Sequence, residues 1–186
     1  MIQGEKIVLR VATLDERKSI YDMGMKTNIL RYLDSYDDNL TEFENDYTER
    51  YFDNKAPSQC GGMIICKNSV SIGFISYGRI NRKTMELDIW LDGELCCGKG
   101  FGPDAIVTLS DYLHLKYSIS TFIMVPSRLN YRAIRAYEKS GFKQTDLETR
   151  KILVKQMFTQ KQLSEQWTDY LDEEDVFMIK EYNEYD

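Results

Sequence analysis

The stretch "CGKGFGPDA", residues 97–105, sets Gly98, Gly100 and Gly102 at alternate positions and follows them with Pro103, in a chain of 186 residues with only 11 glycines. Before it lies "KTMELDIWLD" (83–92), which reads as a strand, and after it "PDAIVTLSDYLHLKY", whose apolar residues recur at helical spacing. A strand that enters a glycine-rich turn and leaves as a helix aims unhindered amides and the positive end of the helix dipole at one point. That is an anion site, most often for phosphate. The alternative is a tight turn whose glycines only supply positive φ. Two familiar phosphate loops are excluded: Lys99 has no following Ser or Thr, and the G-x-G-x-G spacing is not the dinucleotide fingerprint. Pro103 suits the first helical position, where its missing N–H is not needed.

Around this turn, "KIVLRVA" (6–12) predicts a strand, and "TLDERKSIYDMGM" (13–25) a helix that Thr13 caps with Glu16 three residues on. "GGMIICKN" (61–68), "VSIGFISYGRI" (70–80) and residues 83–92 predict an antiparallel meander. "STFIMVPS" (120–127) is a further strand, and "NYRAIRAYEKSGF" (130–142) a helix stopped by Gly141. "FKQTDLE" (142–148) and "DVFMIKEY" (175–182) predict two more strands. Between them, residues 151–175 are expected to hold an amphipathic helix carrying Leu163, Trp167, Tyr170 and Leu171.

The classes of function narrow from there. With 42% hydrophobic residues the chain can bury one core, so residues 1–186 are expected to be a single domain. No signal peptide and no spanning apolar run is present, which predicts a soluble cytoplasmic protein with no membrane partner. Cys60, Cys66, Cys96 and Cys97 lack paired spacing, and His114 stands alone, so reduced thiols and no metal are expected. A net charge of −6 argues against nucleic acid and is compatible with a cationic substrate.

A second feature lies downstream, where Arg128, Arg132, Arg135 and Lys139 recur at i, i+4, i+7 and i+11. They predict a basic stripe on the helix, either a phosphate contact or a solvated face. Ala133, Ile134 and Tyr137 mark another side, with Tyr137 either a core aromatic or a functional hydroxyl.

Together "ELDIWLDGELCCGKGFGPDAI" (86–106) and "SRLNYRAIRAYEKSGF" (127–142) resemble the acetyl-CoA signature of the GNAT N-acetyltransferases. The likeness is greatest to the branch of ribosomal-protein Nα-acetyltransferases and aminoglycoside 6′-N-acetyltransferases. The weaker likeness extends over most of residues 5–182. In that family the loop begins with Gln or Arg and places glycine or alanine three and five residues later, which falls here on Cys97, Gly98, Lys99, Gly100, Phe101 and Gly102. Cys97 departs from the pattern, and so does Pro103, which removes an amide. The resemblance implies an α/β fold of the α+β type, a mixed and mostly antiparallel sheet flanked by helices. In it the strand at Glu86–Leu91 splays from that at Thr121–Val125 beside a bulge, forming a wedge for acetyl-CoA. It implies pantetheine paired to backbone around Ile89 and Leu91, pyrophosphate on the amides of Gly98–Gly102, and Arg132, Arg135 and Lys139 near the 3′-phosphate. Asn130 would help position the pantetheine arm or serve as a plain helix cap.

Amide formation then requires a base for the amine, a donor for the oxyanion and an acid for the departing thiolate. Tyr137 matches the family tyrosine that protonates the thiolate. Glu86 and Asp88, at i and i+2 of one strand, are the candidate bases, or else a solvated pair at a sheet edge. The Leu91 amide is expected to polarise the thioester carbonyl. For the acceptor, Asp34, Asp37 and Asp38, with Asp172, Glu173, Glu174 and Asp175, would suit a small cationic amine such as an aminoglycoside or polyamine. A protein N-terminus is the alternative acceptor, and a non-catalytic acyl-CoA sensor the alternative function. The helix expected in 151–175 would cover the sheet edge, wall the acceptor pocket or form a homodimer contact.

Overall fold

The structure is a computed structural model and describes residues 1–26, 40–159 and 169–183. Eight strands form one sheet: β1 (Ile2–Gln3), β2 (Val8–Val11), β3 (Cys60–Lys67), β4 (Val70–Arg79), β5 (Thr84–Leu91), β6 (Thr121–Met124), β7 (Lys143–Gln144) and β8 (Met178–Glu181). Their order is β1-β2-β3-β4-β5-β6-β8-β7, and every neighbouring pair is antiparallel except β5 and β6. The predicted meander is therefore present as β3, β4 and β5. Its first turn is tight because Asn68 and Ser69 both adopt positive φ, 50° and 65°, which matches the twist of a two-residue hairpin.

Among the described residues five helices pack on this sheet: α1 (Arg17–Lys26), α2 (Leu40–Asp46), α3 (Phe101–Tyr117), α4 (Tyr131–Lys139) and α5 (Leu147–Met157). The sheet sorts its side chains by the two-residue period. Met63, Ile65, Ile75, Met85 and Leu87 point to one face and pack against Ala105, Ile106, Leu109 and Leu113 of α3 and Ile134 and Tyr137 of α4. Ile64, Phe74 and Trp90 point to the other face and meet Ile20 and Met23 of α1 and Phe43 of α2. Ile123 of β6 supports Val154 and Met157 of α5 in a third cluster. Each such fully buried large side chain contributes about 1.5–3 kcal/mol, so both faces of β5 are anchored.

Some expectations need correction. Pro103 is the third residue of α3, not the first, because Gly100 at φ +81° caps the helix; the N–H it lacks is still one of those the first turn leaves unused. No bulge accompanies β5, whose register with β4 is regular; the irregularity lies at Ile65/Cys66 in β3. The strand expected at 142–148 is only two residues long, since Asp146 ends it by capping α5, its carboxylate accepting from the Thr149 N–H at 2.9 Å. Of the stretch 151–175, residues 151–157 belong to α5. Leu163 and Trp167 lie outside the described residues, while Tyr170 and Leu171 sit in a 3₁₀ turn.

Candidate active site

Strands β5 and β6 pair only at Thr84↔Thr121, Met85↔Phe122 and Glu86↔Ile123, whereas β4 follows β5 as far as Leu91. From Leu87 to Leu91 the sheet is open on one side of β5, which is the expected splay. Asp92 donates to Ile72 at 2.8 Å, so by alternation Asp88 and Trp90 direct their backbone groups to β4 and Ile89 and Leu91 direct theirs into the gap. Into the same gap the Ile89 N–H donates to Asp88 Oδ1 at 2.8 Å, and the Leu91 carbonyl accepts from Gly93 at 2.9 Å.

Glu86 and Asp88 share the face that carries Trp90; Glu86 is half-buried where β5 is paired on both sides, and Asp88 is exposed where the strand is open toward β6. Tyr170, from the segment after α5, donates its hydroxyl to Glu86 Oε2 at 2.7 Å. Tyr47, from the segment after α2, donates to Asp88 Oδ2 at 2.8 Å and lies 3.4 Å from Ser76 Oγ of β4. Asp88 reaches solvent through the cleft although protein surrounds it on most sides. That dehydration raises its carboxyl above the ordinary aspartate range, while the hydrogen bonds from Tyr47 and Ile89 act in the opposite direction. Burial, then the charges of Cys60, Glu86, Asp88 and Asp46, push the Tyr51 hydroxyl up to about 12. Glu86 and Asp88 thus stand among the hydroxyls of Tyr47, Tyr51 and Tyr170, with the charge of Asp46 also felt at Tyr51.

Tyr137 comes from the opposite face of the sheet. It is 8% exposed on α4, and its pKa is raised first by burial and then by the charge of Asp88. The gap between β5 and β6 lets these two groups, carried on opposite faces, influence each other directly.

Beyond the end of β5 lies the glycine turn. Gly98 and Gly100 have φ of +73° and +81°, so the turn alone accounts for them. Gly102 differs: it sits in the first turn of α3 without positive φ, and a Cβ there would meet no atom within 4 Å. The fold makes no demand for glycine at this point, which is the pattern expected where a ligand approaches the backbone. A cleft of about 1010 Å³ runs from this turn across the outer face of α3, lined by Lys6, Gly98, Lys99, Gly100, Pro103 and Lys139 among others. Asp88 and Tyr137 are not part of its lining. Phe101 opens α3 and packs partly against the core, and Cys97 Sγ contacts the Gly93 carbonyl at 3.5 Å.

The basic stripe is shorter than expected. Arg132, Arg135 and Lys139 are exposed on α4, but only Lys139 lines the large cleft. Arg128 precedes the helix, its guanidinium donating to the Glu173 carbonyl at 3.0 Å and the Asp175 carbonyl at 3.5 Å. Buried Arg150 of α5 also bonds the carbonyls of Tyr170, Asp172 and Asp175. The backbone of the acidic run 172–175 therefore lies against two arginines, while the side chains of Asp172, Glu173 and Glu174 are exposed. Asn130 caps α4, its Oδ1 accepting from the Ala133 N–H at 3.1 Å. Asp34, Asp37 and Asp38 lie outside the described residues.

Sequence reading did not select Tyr47, Tyr51 or Ser76 near the carboxylates of β5, or Lys6 and Asp104 at the glycine turn; Tyr170 was named only as part of a helix that would wall an acceptor pocket.

Residues 6–143 match the acetyltransferase (GNAT) domain family. No curated protein sequence matches the chain significantly. Among solved structures, AAC(6')-Ib in complex with paromomycin and acetyl-CoA superposes with a TM-score of 0.67 at 18% identity, over 95% of this chain and 94% of that one. Spermidine N-acetyltransferase from Vibrio cholerae, in complex with CoA and spermine, gives 0.61 at 21% identity over 77% and 84%. A GNAT-family acetyltransferase from Bacillus anthracis gives 0.67 at 12% identity over 97% of both chains. At these identities the likeness is one of fold.

Proposed function

The chain belongs to the GNAT acetyltransferase family, and from that premise we propose that it moves an acetyl group from acetyl-CoA directly to the primary amine of a small cationic acceptor. The observation that carries this reading is the open stretch of β5 past Glu86, with Asp88 on one face of the sheet and Tyr137 packed against the other, where the charge of Asp88 helps raise the tyrosine. The residues present fit acetyl-CoA: three glycines at the start of α3, one of them unexplained by the fold, an unpaired stretch of β5 for an extended arm, and Lys99 and Lys139 in the adjoining cleft. Bound there, it supplies the activated acetyl group as a thioester.

Each residue then has a task. Asp88 takes the proton from the incoming ammonium, directly or through water; burial raises its carboxyl above the ordinary aspartate range, which makes its carboxylate the stronger base. Glu86 and Asp46 hold the remaining positive charge of the acceptor. The backbone of Ile89 and Leu91 orients the thioester, and the Leu91 amide polarises its carbonyl. Tyr137, held protonated by burial, gives its proton to the departing thiolate. Gly98–Gly102 and the cations Arg132, Arg135 and Lys139 hold the phosphates.

The acceptor class rests on the carboxylates that crowd Tyr51, an environment suited to ammonium groups. Solved neighbours carrying an aminoglycoside or spermine support it. The test is thiol release from acetyl-CoA with a panel of aminoglycosides, polyamines and N-terminal peptides. Turnover with the first two classes is expected. Turnover with peptides alone would transfer the assignment to protein N-termini, and tight acetyl-CoA binding without turnover on any amine would make the protein a sensor.

A further inference from the structure

Asp104 stands in the first turn of α3, where a carboxylate next to the glycine amides would repel a phosphate. It is instead occupied by the N-terminal segment: Oδ1 accepts from the Glu5 N–H at 3.0 Å, and Oδ2 from the N–H groups of Lys6 at 2.7 Å and Ile7 at 3.0 Å. Three amides thus spread its charge and fix residues 5–7 against the helix start. The side chain of Lys6 consequently lies across the glycine turn. Its Nζ is 2.7 Å from the point where a Cβ on Gly100 would stand, with Cδ and Cε at 3.8 Å. Among the described residues this ammonium has no hydrogen bond or ion pair, and it shares the large cleft with Lys99 and Lys139. A cation held over backbone amides with no anion of the protein beside it is an incomplete charge arrangement.

We propose that Lys6 completes the diphosphate site, reaching from the N-terminal segment to close over the pyrophosphate of the coenzyme opposite the amides of Gly98–Gly102, with Asp104 as the residue that positions it. The proposal rests on the acetyl-CoA reading above and adds to it a contact from a part of the chain 98 residues away from the turn's helix. Lys6 acts on the diphosphate and not on the 3′-phosphate, because its ammonium lies over Gly100 itself.

The test is calorimetric titration of the full chain with coenzyme A, with 3′-dephospho-coenzyme A and with pantetheine, for the wild type, Lys6→Met and Lys6→Arg. Lys6→Met is expected to weaken both nucleotide forms equally, by about fivefold for a partly solvated charge pair, to leave pantetheine unchanged and to flatten the salt dependence. Lys6→Arg should retain most of the affinity, since a guanidinium also binds phosphate. Unchanged affinity in Lys6→Met overturns the proposal, as does a loss confined to coenzyme A, which would put Lys6 at the 3′-phosphate. Failure of the wild type to bind coenzyme A at all would instead sink the acetyl-CoA reading beneath it. The substitution is on an exposed side chain, and an unchanged melting temperature separates lost contact from lost fold.

Discussion

Tyr47→Phe removes one oxygen from the cleft and leaves the ring where it is. The ring is held by Phe43, Tyr51, Phe74 and Trp90, at centroid distances of 4.7, 5.2, 5.7 and 5.7 Å, so packing and fold should survive. What is lost is the 2.8 Å donation to Asp88 Oδ2. A hydrogen bond to a charged acceptor contributes about 1.5–3 kcal/mol, and about 1.4 kcal/mol corresponds to one pKa unit. Because Asp88 reaches solvent, the low end applies, a shift of about one unit. The sign follows from which form is favoured. The hydroxyl stabilises the carboxylate, so its removal raises the Asp88 pKa further above the ordinary range that burial has already lifted it from. Among the described residues, the groups that bond Asp88 or respond to its charge are Tyr47 and Tyr51 from the segment after α2 and Tyr137 of α4, with Ser76 of β4 beside Tyr47; none is a cation. In a profile of kcat/KM against pH, followed by thiol release with one acceptor, the acidic limb should move up by about one pH unit and the alkaline limb should stay. The acceptor's own pKa is common to both proteins and cancels. An acidic limb that does not move, with activity intact, refutes Asp88 as the base held by Tyr47.

Tyr137→Phe should lower the single-turnover rate of acetyl transfer by ~10²–10⁴-fold with acetyl-CoA affinity nearly constant; a rate close to wild type returns Tyr137 to the core. Gly102→Ala should preserve or slightly raise the melting temperature, since helix interiors favour alanine by up to about 1 kcal/mol, yet weaken acetyl-CoA binding in calorimetry; equal affinity would show that no ligand approaches that Cα. Glu16 is held down to about 2 by the Arg10 guanidinium, with contacts of 2.5 and 2.7 Å. A depressed carboxylate stabilises the fold above its unfolded pKa of about 4.3 and loses that effect as pH falls toward 2. Urea unfolding of Glu16→Gln should therefore show a deficit of about 1 kcal/mol at pH 7, as suits a partly exposed pair, and none near pH 2; a deficit independent of pH would place the effect in packing.

What could be read from the chain depended on how local its cause was. The meander, α3 and α4 were legible because alternation, helical spacing and the stop at Gly141 are each written within a dozen residues, and Asn130 and Asp146 cap their helices through bonds three residues long. The glycine turn was legible for the same reason. Tyr47 was not, because it belongs to no periodic element and meets Asp88 across 41 residues. Lys6 and Asp104 each look like ordinary surface charge until the sheet brings β1 and β2 beside the start of α3. The mistaken stripe through Arg128 came from extending helical spacing past Asn130, the residue that begins the helix.

The open part of the sheet also has a cause in the chain. If β6 continued beside β5 past Glu86, the backbone of Ile89 and Leu91 would be consumed by the ladder, and the sheet would stand between Asp88 and Tyr137. Pro126 works against this, since it has no N–H to donate, and the neighbouring chain draws the exit of β6 the other way. Val176 donates to the Pro126 carbonyl at 2.9 Å, Ser127 bridges to Asp175, and the Arg128 N–H donates to Glu174 at 2.8 Å. That segment is itself fixed by buried Arg150, which bonds the carbonyls of Tyr170, Asp172 and Asp175. The carbonyls of the run 172–175 thus help draw the chain after β6 away from β5, and Tyr170, just before the run, holds Glu86 through its hydroxyl. With the Ile89 N–H taken by Asp88 and the Leu91 carbonyl by Gly93, the Ile89 carbonyl and the Leu91 N–H are the gap-facing groups that an extended ligand would satisfy, which gives the ligand arm proposed for this gap a physical reason to bind there.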